Sequence, residues 1–291
     1  MFVIIGIVVV LGSMIGGFMM AGGDPLSLLQ ISEFVTIGGV ILGSVIIANP
    51  LPVLIKIIKD MLGTLKGPSV NKAAYLDLLK LLYEVFQFSK REGLLALESH
   101  VENPASSSIF SKYPSFLANH HAVDFLCDTL KVLLSGGVPA HDLDELMDAD
   151  LERIHEEEHV PSAQMQVVAD AFPGIGIVAA VLGIIVTMGS IDQGAAAVGH
   201  HVGAALVGTF LGVLMSYGIV GPIASLMGTY ASMEGKYIMV IKAAVLSVFL
   251  PWIYSRKQTD LKNRGPWKLL NTQTFISTYR AMWRRLFFCP N

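Results

Sequence analysis

Apolar residues run almost unbroken in four places along the chain; elsewhere they recur at three- and four-residue spacing. Phe2 to Ala21 is twenty residues without a charged side chain. As a helix it is about 30 Å long, enough to cross the hydrocarbon core. Phe34 to about Leu54 forms a second run, Pro173 to Gly189 a third and Val202 to about Met227 a fourth. Between the second and third the pattern changes. Ala73 to Phe88 places leucines and aromatics at helical spacing, with Lys80 and Glu84 on the polar side, and His141 to His159 predicts a second, strongly acidic helix. Tyr237 to Tyr254 is apolar too, but Lys242 and Pro251 interrupt it; it reads as a helix running on from the fourth span. A signal peptide at the N-terminus would want a basic start and a small-residue cleavage site, and neither stands out here.

Charge gives the spans a direction. None of the 20 Lys and Arg lies between Met1 and Val53 or between Gln164 and Gly235; ten fall between Lys56 and Arg153 and ten between Lys236 and Arg285. The positive-inside rule then makes both basic segments cytoplasmic and turns the short loops, Gly22 to Ser32 and Ser190 to His201, outward. The expected fold is an all-α integral membrane protein, four transmembrane helices with a helical cytoplasmic domain between the second and third, and both termini inside. The segments are 1–54 for spans one and two, 55–170 for the cytoplasmic domain, 171–228 for spans three and four, and 229–291 for a cytoplasmic C-terminal segment. Overall 53% of residues are hydrophobic and 15% charged, against about a quarter charged in an average soluble domain. Cys127 and Cys289 are the two cysteines and read as reduced thiols, without a disulfide framework or a metal-binding spacing.

Candidate chemistry is sparse. Neither a phosphate-binding P-loop nor a dinucleotide fingerprint occurs, so no nucleotide cofactor is implied. The basic residues sit beside membrane spans, which gives nucleic-acid binding no support. His155-Glu156-Glu157-Glu158-His159 fits H-E-x-x-H, the spacing that lets two histidines share zinc on one helix face. The glutamates are expected in an acid-rich helix, no third ligand suggests itself, and Pro161 is expected to end the helix just beyond. No metal site is assigned, and a zinc-dependent membrane hydrolase stays a remote alternative. Spans three and four lack ionisable side chains in their cores, with Glu33 and Asp24 expected at or outside the external edge and His200 and His201 at a mouth. Ion carriers usually place such groups within the bilayer, so a proton-binding carboxylate would have to come from another polypeptide. Pro173, Ala180 and Thr187 repeat at seven-residue steps on span three, Thr209 and Ser216 do so on span four, and Pro222 lies near its inner end. The plain reading is that Pro173 starts a helix, Pro222 kinks or ends one, and the hydroxyls bond their own backbone. Gly12/Gly16, Gly39/Gly43 and Gly208/Gly212 form G-x-x-x-G pairs that permit close helix approach without naming the partners.

The opening VVLGSMIGGFMMAGGDPLSLLQISEFVTIGGVILGSVI, the segments YLDLLKLLYEVFQFSKREGLLALESHVENP, IFSKYP and LMDADLE, and the spans FPGIGIVAAVLGIIVTMGS and LVGTFLGVLMSYGIVGPIA resemble the MotA family of flagellar motor stator subunits. The resemblance is collinear from Met1 to about Ser247. It implies a non-enzymatic protein of the bacterial inner membrane that assembles, as a ring of five, around two copies of the single-span, peptidoglycan-binding partner MotB. That partner would supply the proton-accepting aspartate, and proton flow would become torque on the rotor protein FliG. By position, Lys90 and Glu98 match the charged pair that meets the rotor, with Lys90 standing where arginine is common and Arg91 adjacent. Pro173 and Pro222 match the prolines that couple channel to movement, and Thr209 the hydroxyl lining the ion path. Ala180 stands where sodium-driven relatives tend to carry threonine, and losing that oxygen removes a ligand a hard cation would want, so protons are expected. The alternative within the wider family is an ExbB/TolQ-like energiser of outer-membrane processes, against which the four spans and the Ser89 to Pro104 segment argue. After about residue 247 the chain departs from the family pattern. From Val248 it carries eight Lys or Arg against one acid, Asp260, which suits adsorption to anionic headgroups; an altered reading frame is the other reading.

Overall fold

The structure, a computed structural model, describes residues 2–136 and 138–258. Most of the basic C-terminal segment, with its expected adsorption to anionic headgroups, lies beyond Gln258 and outside the described residues. Among the described residues there is no strand, and four helical stretches are long and apolar enough to cross a membrane: Phe2–Met20, Pro25–Ala48, His141–Met188 and Ala195–Val248. The chain divides into two compact units, 1–69 with 156–232, and 70–155 with 233–291.

The first unit holds the apolar helices. Helix α1 spans Phe2–Met20 and buries none of its residues. A short 3-10 turn, Pro25–Leu28, is capped by the Asp24 carboxylate accepting from the Leu26 amide and leads into α2, Ile31–Ala48. The second span is shorter than the apolar run suggested. Asn49 and Pro50 adopt extended backbone and a separate helix, α3, runs Leu51–Lys66. Proline and its preceding residue disfavour helical continuation, and the apolar run hid that break. Ile37 and Ile41 of α2 pack with Phe172, Ala179, Leu211, Ala224 and Met227 in one apolar core.

The second unit is the helical domain between spans two and three, completed by residues 233–258 of the last helix. Helix α4 covers Lys72–Glu92, with the Asn71 side chain accepting from the Ala74 amide as its N-cap. Helices α5 (Glu98–Glu102), α6 (Pro114–Leu117) and α7 (His120–Ser135) follow. The apolar face of α4, Leu78, Leu81, Leu82 and Val85, meets Phe110, Phe116, Phe125 and Leu130 in a core closed by Tyr237, Ile238 and Ile241.

Helix α8 runs Ala140–Met188 with Pro161 and Pro173 inside it, so neither proline ends or starts a helix. A proline deprives the carbonyl four residues back of its donor. For Pro161 that carbonyl is Glu157, and the Lys56 ammonium donates to it at 3.3 Å while pairing with the Glu158 carboxylate at 2.9 Å. A cation from α3 thus replaces the missing amide. Helix α9 is Ala195–Val213, followed by a π-helical turn, Leu214–Val220, and by α10, Gly221–Gln258. The apolar segment after residue 237 does continue the last helix.

Candidate ion-path and coupling site

Helices α8 and α9 approach closely in the first unit, and glycine makes it possible. A Cβ at Gly176 would lie 2.9 Å from the Gly208 carbonyl oxygen and 3.1 Å from the Gly212 Cα. A Cβ at Gly212 would lie 2.7 Å from the Phe172 carbonyl oxygen, and one at Gly183 would lie 2.7 Å from the Ala205 Cβ. Backbone therefore meets backbone, as small-residue interfaces in membranes allow. The partner that the Gly208/Gly212 pair left unnamed is Gly176 of α8.

The expected path residues flank this crossing. Pro173 and Ala180 lie one turn before and after Gly176 on α8, both half-buried, and Thr209 sits on α9 with its Cα against Gly176. The Thr209 hydroxyl has no hydrogen-bond partner among the described residues. Thr187 instead donates to the Gly183 carbonyl at 2.8 Å, an ordinary backbone-satisfied hydroxyl. Pro222 is exposed in the first turn of α10, directly after the π-helical turn. The Gly221 amide reaches back five residues to the Ser216 carbonyl. That wider turn makes room for a proline ring that would clash with a regular helix.

Glu33 adds a detail the chain pattern did not show. It stands in the first turn of α2, at the edge of the span, and is buried, 7% exposed. Its carboxylate lies against Gly208 and near Ala179, and its Oε2 has no hydrogen-bond partner. The sequence carried a signal: an acid at a helix N-terminus, where the backbone dipole favours negative charge, beside a glycine pair able to admit a side chain. On the same unit α1, the Pro25–Leu28 turn and α9 border an open pocket of about 760 Å³, lined by Met14, Phe18, Gln30, His200 and Phe210 among others.

In the second unit, Lys90 and Arg91 lie exposed in the last turn of α4 and Glu98 is exposed in the first turn of α5. Gly93, at φ 91°, makes the turn between them, a conformation open to glycine. Nearby, Lys112 donates to Glu84 at 2.8 Å and the Tyr113 hydroxyl donates to it at 3.0 Å. The Lys112 hydrogen bond holds the Glu84 carboxyl below its usual value. Burial, then the Glu84 contact, pushes Tyr113 up to about 12. Lys242 of α10 is 13% exposed and bridges Asp144 at 2.6 Å and Asp148 at 2.5 Å on α8. Part of the acidic run in α8 therefore grips a part-buried cation. Among the described residues no three His, Cys, Asp or Glu side chains converge as metal ligands.

A glycine-mediated helix pair among four apolar spans, with a helical domain between spans, defines a multi-pass membrane protein. Residues 4–93 match the motility protein A N-terminal family model and residues 118–237 the MotA/TolQ/ExbB proton channel family. Motility protein A of Escherichia coli K12 is 36% identical over 247 residues, covering 85% of this chain and 84% of that one. The chemotaxis protein LafT of Vibrio parahaemolyticus is 39% identical over 223 residues, covering 77% and 78%. In fold the chain is similar to a structure of C. jejuni MotAB, with a TM-score of 0.68 at 21% identity over 91% of this chain and 96% of that one. It is also similar to the MotAB stator complex of Bacillus subtilis, at 0.63 and 22% over 94% and 97%. The chain belongs to the motility protein A family, flagellar stator subunits within a proton channel family and not enzymes.

Proposed function

We propose that this chain joins MotB in a transmembrane proton channel and converts proton flow into torque on the rotor protein FliG, with five copies around two of MotB. The observation that carries the channel role is the α8–α9 crossing: Thr209 offers a free hydroxyl on a half-open face beside Gly176, flanked by Pro173 and Ala180. A face left half-open in one copy suits a lining completed by neighbours and by a central partner helix. The proton-binding aspartate comes from MotB, and Ala180 in place of an oxygen donor favours protons over sodium. Lys90, Arg91 and Glu98 meet the rotor; their exposure on the helical domain supports this. Pro222, after its π-helical turn, couples ion passage to movement. Segments 1–54 and 171–228 form the membrane part, 55–170 and 229–291 the cytoplasmic part, and both termini lie in the cytoplasm of an inner membrane. The ExbB/TolQ reading is weaker, because the match over residues 4–93 is to motility protein A alone.

Proton uptake into vesicles tests the channel. Vesicles holding the chain together with MotB are expected to acidify under an imposed potential, and those holding either alone are not. Equal uptake with and without MotB would overturn the assignment.

A further inference from the structure

Helix α3 carries a face that the protein leaves uncovered. Leu51, Ile55, Ile58 and Leu62 are each more than half exposed and Leu65 is 37% exposed; at three- and four-residue steps they form one stripe along the whole helix. At 100° per residue, Lys66 and Lys59 fall about 60° and 80° from the centre of that stripe, on the same flank. Both are exposed, and neither has an ion-pair partner among the described residues.

The opposite side of α3 faces the protein. Ile57 and Thr64 are buried, and Lys56 is committed to Glu157 and Glu158 of α8. Asp60, the single acid of α3, falls about 180° from the stripe. Its carboxyl is raised above the usual value by burial first and by Glu158 second, with Lys56 and Lys59 pulling the other way, as expected of a side chain turned inward. The stripe therefore carries no acid of its own, and Asp60 is the one acid of α3 whose charge reaches Lys59. Helix α3 begins at Leu51, with only Asn49 and Pro50 between it and the end of α2, and contacts both α1 and α2, so it starts where the second span leaves the bilayer.

An apolar stripe edged by unpaired lysines on a helix beside a span fits the plane of the headgroups, with the lysine stems along apolar surface and the ammonium groups among phosphates. We propose that α3 is an anionic-phospholipid-binding helix: the stripe from Leu51 to Leu65 enters the leaflet on the basic side of the membrane, and Lys59 and Lys66 bind phosphodiester headgroups. A second copy of the chain is the other occupant to test, but a protein surface there would need acids to answer the two lysines. Each cation near an anionic surface contributes about a five-fold preference at ordinary salt.

The test uses the full chain copurified with MotB in lipid nanodiscs, made either of phosphatidylcholine alone or of phosphatidylcholine mixed with phosphatidylglycerol. Amide hydrogen exchange is read over residues 51–66. Exchange is expected to slow several-fold in the phosphatidylglycerol discs, and high salt should remove that protection in the unaltered protein. K59A/K66A should lose it, while K59R/K66R and K72A/K80A keep it, with exchange in α4 and α7 unchanged throughout. Equal exchange in the two lipids, or protection that survives K59A/K66A, would overturn the proposal. So would efficient crosslinking between copies through Ile58→Cys, which would place a second chain on the stripe.

Discussion

Replacing Gly212 with alanine puts a methyl group 2.7 Å from the Phe172 carbonyl oxygen and 2.9 Å from the Gly176 Cα. Two carbons are most favourable at about 3.5–4.0 Å, so α8 and α9 must part by about 0.6 Å or more. Both obstructing atoms are backbone, and no rotamer change relieves them. Forced overpacking of this kind costs about 1–3 kcal/mol, close to 5- to 150-fold in the folding or assembly equilibrium. Gly174 supplies the control: it lies on the same helix, two residues before Gly176, and a Cβ there meets nothing within 4 Å. Thermal unfolding of the purified protein in one detergent should give a clearly lower midpoint for G212A and G176A, and an unchanged or slightly higher one for G174A. Equal midpoints for G212A and G174A would refute the reasoning, because backbone contact between α8 and α9 would then not limit stability.

Lys56→Met should destabilise the first unit by about 1–3 kcal/mol, since it removes the Lys56 bonds to the Glu157 carbonyl and the Glu158 carboxylate; coupling P161A to it in a double-mutant cycle should recover part of the loss, measured by unfolding midpoint. Glu84 has a depressed carboxyl, so its contribution is fully present above its ordinary value of 4.5 and fades as pH falls through the lower folded value. Glu84→Gln should therefore lower stability modestly at pH 7, and its difference from the unaltered protein should close as the pH falls through the folded Glu84 value. Burial pushes the Cys127 thiol up to about 12, so in a C289S background alkylation at pH 8 should be slow until denaturant is added. Swimming should weaken in K90E/E98K cells while membrane insertion, read by fractionation, stays normal.

The four spans were legible because a membrane helix announces itself by length and apolarity, and the cation-free zones agreed with that pattern. The α4 helix was legible from its three- and four-residue spacing, and appears as Lys72–Glu92. Helix α3 was not, because its outer stripe merges with the apolar run of α2 and only the Asn49-Pro50 break separates them. Pro161 misled in another way: the rule that proline ends a helix holds only when the freed carbonyl stays unsatisfied, and here a lysine more than a hundred residues away in sequence satisfies it. The burial of Glu33 was hidden for the same nonlocal reason. Its burial depends on Gly208, which no reading of α2 by itself reveals.

The central claim is most directly tested by deleting the gene and scoring filaments by electron microscopy and swimming by video. Cells that keep their filaments but are paralysed, and that regain swimming from the restored gene only when MotB is present, are the predicted result. Cells of the deletion strain that swim normally, with no other stator genes expressed, would contradict the account.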